Sequence, residues 1–368
     1  MSKNQVVIPF TEIVERVQEL SRERSDIKGK VRGVVNDIYT RELPRKDDWN
    51  FFLTSSTLTV NKKVVDGTVS ATTGGSTATF NGVTIDSSYT GYQLKVSGNS
   101  YIYDCVFSGT TSLSILPVFS GDQNSTSASY SLFKAKYSLA ADFDRFPKNG
   151  GLIDYQGGKE VIIPEKPFQE WGDDYSSSPS NSAKFCRIIG TDTAGNAVLE
   201  INPPSAINKS YRYDYFIRPK TLRETTAGTA TVSANGTSVV GDASSLFTQA
   251  TTGDYLRIDA FGVGADSEWY PIIAISGNSG LTLGVAFGQS GATTAKYTIS
   301  SVPQMPSKMH PTLLYGGILQ IAADQNDPLV QGYKLMLAEV LSDGKRLYKT
   351  RIYSQDIHTL AEEWQYRR

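Results

Sequence analysis

The chain has 368 residues, with 36 Lys and Arg against 37 Asp and Glu, a formal net charge of −1 and a hydrophobic fraction of 39%. That length can bury a large core and leaves room for several domains, while the balanced charge argues against a protein whose main work is gripping nucleic-acid phosphates. Two cysteines, Cys105 and Cys186, with no CxxC, and two histidines, His310 and His358, argue against a disulfide framework, a zinc site and most histidine-based catalytic layouts.

The opening "MSKNQVVIPFTEIVERVQEL" has no apolar run with a basic flank, and no segment approaches the roughly 18 apolar residues of a membrane span. The expectation is a soluble chain made in the cytoplasm, with no membrane partner. Up to about Trp49 the sequence is charged and periodic. Ile13, Val17, Leu20, Ile27, Val31, Val34 and Ile38 recur at three- and four-residue steps, the apolar stripe of an amphipathic helix. Thr11 is the expected N-cap, with Glu12 and Glu15 in the first turn. Gly29 and Gly33 weaken the middle, so one long helix and a pair meeting near 25–29 both fit.

From Asp66 to about Leu132 charge nearly vanishes and Ser, Thr, Gly and β-branched residues take over. "GYQLKVSG" and "ASYSLF" alternate as half-buried strands do. "STLTV" before this block and "KYSLAADF" after it would make a plain hairpin if the block were cut out. Between Tyr137 and about Leu222, "KEVIIPE" and "YRYDYFIRP" read as strands. "AKFCRIIGTDTAGNAVLEINPP" reads as a hairpin turning at "TAGN".

A second low-charge block runs from about Ala227 to Ser300, and it repeats the first. Gly67 matches Gly228, and "GYQLKV" from Gly91 matches "GDYLRI" from Gly253. At a constant offset Gly109, Leu113, Ile115 and Phe119 meet Gly277, Leu281, Leu283 and Phe287. Tyr130 and Leu132 then close against Tyr297 and Ile299, and the second copy alone carries "FGVGAD" before Trp269. The expectation is one small β-barrel or sandwich module duplicated and inserted twice at surface loops of an older core. The chain then returns to helix. "HPTLLYGGILQIAADQ" has Pro311 at a helix start, and "NDPLVQGYKLMLAEVLSDGKRLY" has Asp327 as cap and Pro328 at the first helical position. Leu329, Tyr333, Met336 and Val340 share a face.

Motifs that could carry chemistry have simpler readings. "FGVGADSEWY" lacks the strand–GxGxxG–helix setting of a dinucleotide site. "DQNDP" lacks the Gly and late Glu of a calcium loop and suits a turn between helices. Asp173 and Asp174 in "WGDDYSSSPSNS" are adjacent in a Ser-rich loop, not spaced across a cleft as glycoside hydrolysis needs. With no GxSxG or HExxH either, no enzyme, no metal and no cofactor is expected. Tyr101, Tyr103, Trp269 and Tyr270 are candidates for outward contacts of the β modules, sugar stacking included, and core packing is the competing reading. The last residues bring together Trp364, Tyr366, Arg367 and Arg368, types enriched in interface hot spots. Docking on another subunit or partner and packing on the chain's own domain both remain open.

With the two blocks set aside, the order of "VVNDIYTRE", "DDWNFFLTSSTLTV", "KYSLAADFDRF" and "HPTLLYGGILQIAADQNDPLVQGYKLMLAEVL" resembles the head-to-tail adaptor (connector, or neck) proteins of tailed bacteriophages. "KYSLAADF" is like that family's Tyr-x-Leu-Pro-x-Asp-Phe strand end, with Ala141 where Pro is usual. The "EWY-x-I" and Leu-Thr-Leu strands of the second block are similar to small β modules of such phage proteins. The resemblance implies an α+β fold. N- and C-terminal helices would form a bundle around a central β region, with two small β-barrel or sandwich insertions. The corresponding division is 1–65 for the helical start, 66–134 for the first module and 135–225 for the central β part. The second module takes 226–302, and the C-terminal helices and docking tail take 303–368. It further implies a structural virion protein at the head–tail junction, in a ring commonly of twelve copies beneath the portal protein. DNA only passes through the channel. The tail from Trp364 would dock on the portal, and the modules would meet tail, fibre or capsid proteins. The competing expectations are a tail or fibre-attachment protein and a carbohydrate-binding protein.

Overall fold

The computed structural model describes residues 7–21, 28–121, 124–156, 159–166, 178–259, 268–322 and 328–349. The chain divides into two units: unit 1 is Met1–Phe52 with Arg218–Arg368, and unit 2 is the continuous Leu53–Ile217. Helices lie towards the two ends of the chain and antiparallel sheets fill the interior of the sequence, an α+β fold.

Unit 1 starts with α1 (Phe10–Leu20) and α2 (Lys28–Asp37), a π-helical turn over Ile38–Glu42, and the short α3 (Leu43–Lys46). Of the expected apolar stripe Ile13, Val17, Val31 and Ile38 are buried, joined by Val14 and Val35, whereas Leu20 is exposed, Val34 is half-buried and Ile27 lies outside the described residues. Thr11 is not the N-cap. Pro9 holds that position, and the first free N–H groups are met from elsewhere in the chain. The Phe10 N–H donates to the Ser301 carbonyl at 2.9 Å and the Thr11 N–H to Ser300 Oγ at 2.8 Å. The Thr11 hydroxyl is thereby free to donate to Glu224 Oε2 at 3.2 Å, and the same carboxylate pairs with Lys28 and Arg32 of α2.

Unit 2 opens with β1 (Leu53–Val60) and continues with β2 (Thr68–Ala71), β3 (Thr77–Asn81), β4 (Gln93–Val96), β5 (Ile102–Gly109), β6 (Ser112–Leu116), β7 (Ser125–Ala128) and β8 (Tyr130–Phe133). The last seven form one antiparallel sheet in the order β7-β2-β3-β6-β5-β4-β8. Their inward residues, among them Phe80, Leu94, Tyr103, Leu113 and Leu132, meet in a single cluster, so the sheet rolls around its own core. The remainder is β9 (Lys136–Ser138), β10 (Phe143–Arg145), β11 (Gly151–Gln156), β12 (Lys159–Pro164), β13 (Phe185–Thr191), β14 (Ala197–Asn202) and β15 (Lys209–Ile217). β13 and β14 are the hairpin expected around "TAGN".

The hairpin expected between "STLTV" and "KYSLAADF" does not form. β1 pairs along its length with β15, from Leu53 opposite Phe216 to Val60 opposite Lys209, and β9 pairs with β14. The reason is ladder length and side-chain supply. β15 is nine residues long and turns Tyr211, Tyr213 and Tyr215 into the core, whereas β9 has three residues.

Back in unit 1 come β16 (Glu224–Thr225), β17 (Ala230–Val232), β18 (Ser238–Gly241), β19 (Tyr255–Ile258), β20 (Tyr270–Ile275), β21 (Gly280–Leu283), β22 (Ala292–Ala295) and β23 (Tyr297–Ser300). Their order is β16-β23-β19-β20-β21-β18-β17-β22. Read from β22 back to β23, it is the order β7 to β8 strand for strand. The correspondence extends to single hydrogen bonds. Gly91 N–H donates to Cys105 O and Gly253 N–H to Ile272 O, each at 2.8 Å. The Tyr130 and Tyr297 hydroxyls donate to the carbonyls of Asp66 and Ala227. Ser127 and Thr294 both hold a left-handed φ, 49° and 53°, and their N–H groups donate to the hydroxyls of Ser70 and Thr231. Gly67 and Gly228 start the two blocks at φ 81° and 84°, where a side chain would be strained.

The C-terminal part contains α4 (His310–Ile321), with Pro311 in its first turn, and α5 (Pro328–Tyr348). Asp327, the expected cap, lies outside the described residues. α4 approaches its neighbours closely: a Cβ on Gly317 would stand 2.9 Å from Val17 Cγ2, and one on Gly316 3.1 Å from Ile38 Cδ1. α5 is seated by buried Val330, by the stack of Tyr333 on Tyr315 at 5.9 Å, and by Gly344 against Met309 and Trp49.

Candidate interaction surfaces

Strand alternation decides where the expected module contacts fall. β5 turns Tyr103 and Cys105 inward and β20 turns Tyr270 and Ile272 inward, because residues two apart share a face. Tyr103 is 0% exposed and Tyr270 3%, so neither is an outward contact. Their hydroxyls do internal work. Tyr103 Oη accepts the Ser120 N–H at 3.2 Å, and Tyr270 Oη accepts the Gly288 N–H at 3.0 Å while donating to Glu268 at 2.7 Å. Trp269 is also buried, beneath the Arg257 guanidinium, which lies 4.7 Å from the ring. That guanidinium is fixed by two hydrogen bonds to Glu15 at 3.0 and 2.9 Å, and so ties β19 to α1. Of the four aromatics only Tyr101, just before β5, is on the surface. Trp364, Tyr366, Arg367 and Arg368 lie outside the described residues, as do Asp173, Asp174 and "FGVGAD".

The residues that do face outward were not singled out from the sequence. In the first module they are Val106, Leu116 and Val118, and in the second Val240, Ile273 and Val285, all about half exposed or more. Val106 and Ile273 follow the corresponding core residues Cys105 and Ile272, so both rolled sheets carry a β-branched aliphatic at one matched outward position. The signal was the alternation itself, whose outward members looked unremarkable beside the aromatics.

The face shared by Leu329, Tyr333, Met336 and Val340 on α5 is not a core face. Leu329 and Met336 are exposed, Tyr333 and Val340 are half-buried, and Leu335 and Leu347 add to the outer surface, Leu335 at 73% exposure. Near the end of α5, Lys345 and Lys349 pair with Asp47 at 3.4 and 3.1 Å.

The groups with chemical potential are spent on packing. Burial pushes the thiols of Cys105 and Cys186 up to about 12, so both are protonated at neutral pH. Among the described residues no group of three or more His, Cys, Asp and Glu side chains is placed to hold a metal ion, and no described helix is long and apolar enough to cross a membrane.

No family model matches the chain, and no curated protein matches it. Among solved structures, the apo form of translation elongation factor SelB from Methanococcus maripaludis is similar over 70% of this chain and 64% of its own, at 9% identity and a TM-score of 0.15. A likeness of that size carries no argument about fold or function.

Proposed function

We propose that this chain is a structural virion protein, not an enzyme: a head-to-tail adaptor that assembles as a ring beneath a phage portal and joins capsid to tail. The observation that carries the reading is α5, where Leu329, Met336 and Leu347 stand exposed along one stripe and Leu335 is exposed beside it. Aliphatic side chains concentrated on one exposed helix mark a surface built to be covered by protein. The near-zero net charge agrees with a conduit through which DNA slides without being held. The terminal helices would form the bundle at the subunit contacts. The residues from Trp364 onward would dock on the portal.

The two rolled sheets, with one strand order and matching hydrogen bonds, support descent from a duplicated module. On this reading both copies project away from the channel to meet tail, fibre or capsid proteins. A tail or fibre-attachment protein is the second reading, favoured by the matched outward positions Val106 and Ile273. Of its four candidate aromatics the carbohydrate-binding reading keeps Tyr101 alone on the surface.

The test mixes the purified chain with a portal ring from the same source and measures particle mass and images. A ring complex of fixed copy number, lost on removal of residues from Ala361 onward, is the expected result. No association across several salt concentrations would overturn the adaptor reading and leave the fibre-attachment one.

A further inference from the structure

Unit 1 contains a cavity of about 260 Å3 framed by the linker that enters β16, the linker that leaves β23, the loop before β19 and the π-helical turn after α2. Its walls are pinned from both sides. The Asn36 side-chain amide donates to the Leu222 carbonyl at 3.2 Å and accepts the Leu222 N–H at 2.8 Å. Arg223 and Ser301 are joined twice: the Arg223 N–H donates to Ser301 Oγ at 3.0 Å, and the Ser301 N–H donates to the Arg223 carbonyl at 3.0 Å. Such walls lose little freedom when a ligand enters.

One buried donor on this lining is unspent, and two exposed cations stand at its rim. Tyr39 is 1% exposed, and its Oη accepts the Gln304 N–H at 2.7 Å. Among the described residues nothing accepts the Tyr39 hydroxyl proton. A phenol buried this deeply, with its proton unclaimed on a cavity wall, calls for an acceptor from outside the chain. Arg223 and Lys220 are exposed residues of the same lining with no ion pair within 4 Å among the described residues, although the charge of Arg223 acts on Asp254. The one carboxylate on the wall, Asp254, is already engaged by the N–H and hydroxyl of Thr251 at 2.8 and 3.1 Å. Both of these bonds go to Oδ2, and the Arg223 charge acts on the same carboxylate without an ion pair within 4 Å, so an anion must compete with Asp254 for it.

We infer that this cavity binds a small oxyanion, a carboxylate or phosphate group, with Arg223 and Lys220 supplying charge and the Tyr39 hydroxyl donating the third hydrogen bond. A planar guanidinium fork matches two oxygens of such a group, and a neutral buried donor beside it adds direction. The volume of about 260 Å3 suits a small ligand, larger than benzene and smaller than a drug-sized molecule. The cavity lies where both linkers of the second sheet meet the helical part of the same unit, so an occupant would bridge elements brought together from far apart in sequence. This inference is independent of the adaptor reading.

The experiment is calorimetric titration of the full chain at low ionic strength with inorganic phosphate, and separately with succinate, with sodium chloride as control. Saturable binding of at least one probe is expected, and comparing the two shows whether phosphate or carboxylate is preferred. Arg223→Gln is expected to weaken binding by about tenfold or more, and Lys220→Gln by a smaller factor. Because Lys220 is exposed, its variant keeps the test valid should any other variant misfold, and a circular-dichroism melt checks each. Tyr39→Phe is expected to lower affinity for the same probe. No saturable binding of either probe, or wild-type affinity in Arg223→Gln and Lys220→Gln, overturns the inference.

Discussion

His310 begins α4 with its ring between two backbone groups. Nδ1 accepts the Ile8 N–H at 3.1 Å, so the ring proton is on Nε2, which donates to the Met305 carbonyl at 3.2 Å. Burial holds its pKa below the ordinary 6.5, because a charged ring here would lose water and would set two N–H groups against each other at Nδ1. Above pH 6.5 the ring is neutral in both folded and unfolded chains, and its environment is fully stabilising. As pH falls below 6.5 the unfolded chain takes up a proton that the folded chain resists, so stability drops. Urea midpoints measured at pH 7.5 and pH 5.5 are expected to fall further for the wild type than for His310→Gln. At the same scale, Tyr103 and Tyr270 make one matched bond each to a backbone N–H on the strand exit. Tyr103→Phe and Tyr270→Phe should each cost about 1 kcal/mol, read as parallel losses in denaturant midpoint at unchanged slope.

Glycine in a helix means opposite things at two sites. Gly33 on α2 is exposed with nothing within 4 Å of a Cβ. Gly33→Ala should therefore raise stability by about 1 kcal/mol through backbone entropy and propensity. Gly317 on α4 lies against Val17 and Val35, and Gly317→Leu should cost about 1–3 kcal/mol by overpacking. The pair of opposite shifts in thermal midpoint checks the helix contact directly. On α5, Leu335→Lys replaces a side chain that is 73% exposed. It should leave the stability of the isolated chain within about 0.5 kcal/mol yet weaken assembly with a portal ring, as sedimentation would show.

These elements were readable to different depths. The period of the N-terminal helices, the Pro311 start of α4, the "TAGN" hairpin and the β blocks stood out because each is written in local spacing and turn residues. Thr11 as a cap failed because its N–H finds Ser300 from far along the chain. Tyr103 and Tyr270 were plausible on either face of a strand, and only the sheet's curl decided that they point inward, while Trp269 is covered by Arg257. Nothing in the residue types around Tyr39 or Arg223 announced a cavity, since its walls come from four separate stretches.

For the molecule as a whole, unit 2 is one uninterrupted segment whose ends run side by side, Leu53 opposite Phe216 in the β1–β15 ladder. It holds two apolar clusters of its own. A segment with adjacent ends and its own cores should fold when excised. Residues 53–217 expressed alone are expected to unfold cooperatively, and a chain in which a short Gly/Ser linker replaces them should keep the α1–α4 packing. A non-cooperative melt for the excised segment would show that the two units fold only together. The sequence by itself determined the alternation of helical and β stretches and the register of two similar blocks, since side-chain period and Gly placement are properties of neighbouring residues. Which strand pairs with β1, what caps α1, which aromatics are buried and where a cavity opens were decided only by tertiary structure. Each of those depends on groups distant in sequence competing for the same hydrogen-bond partner or the same apolar space.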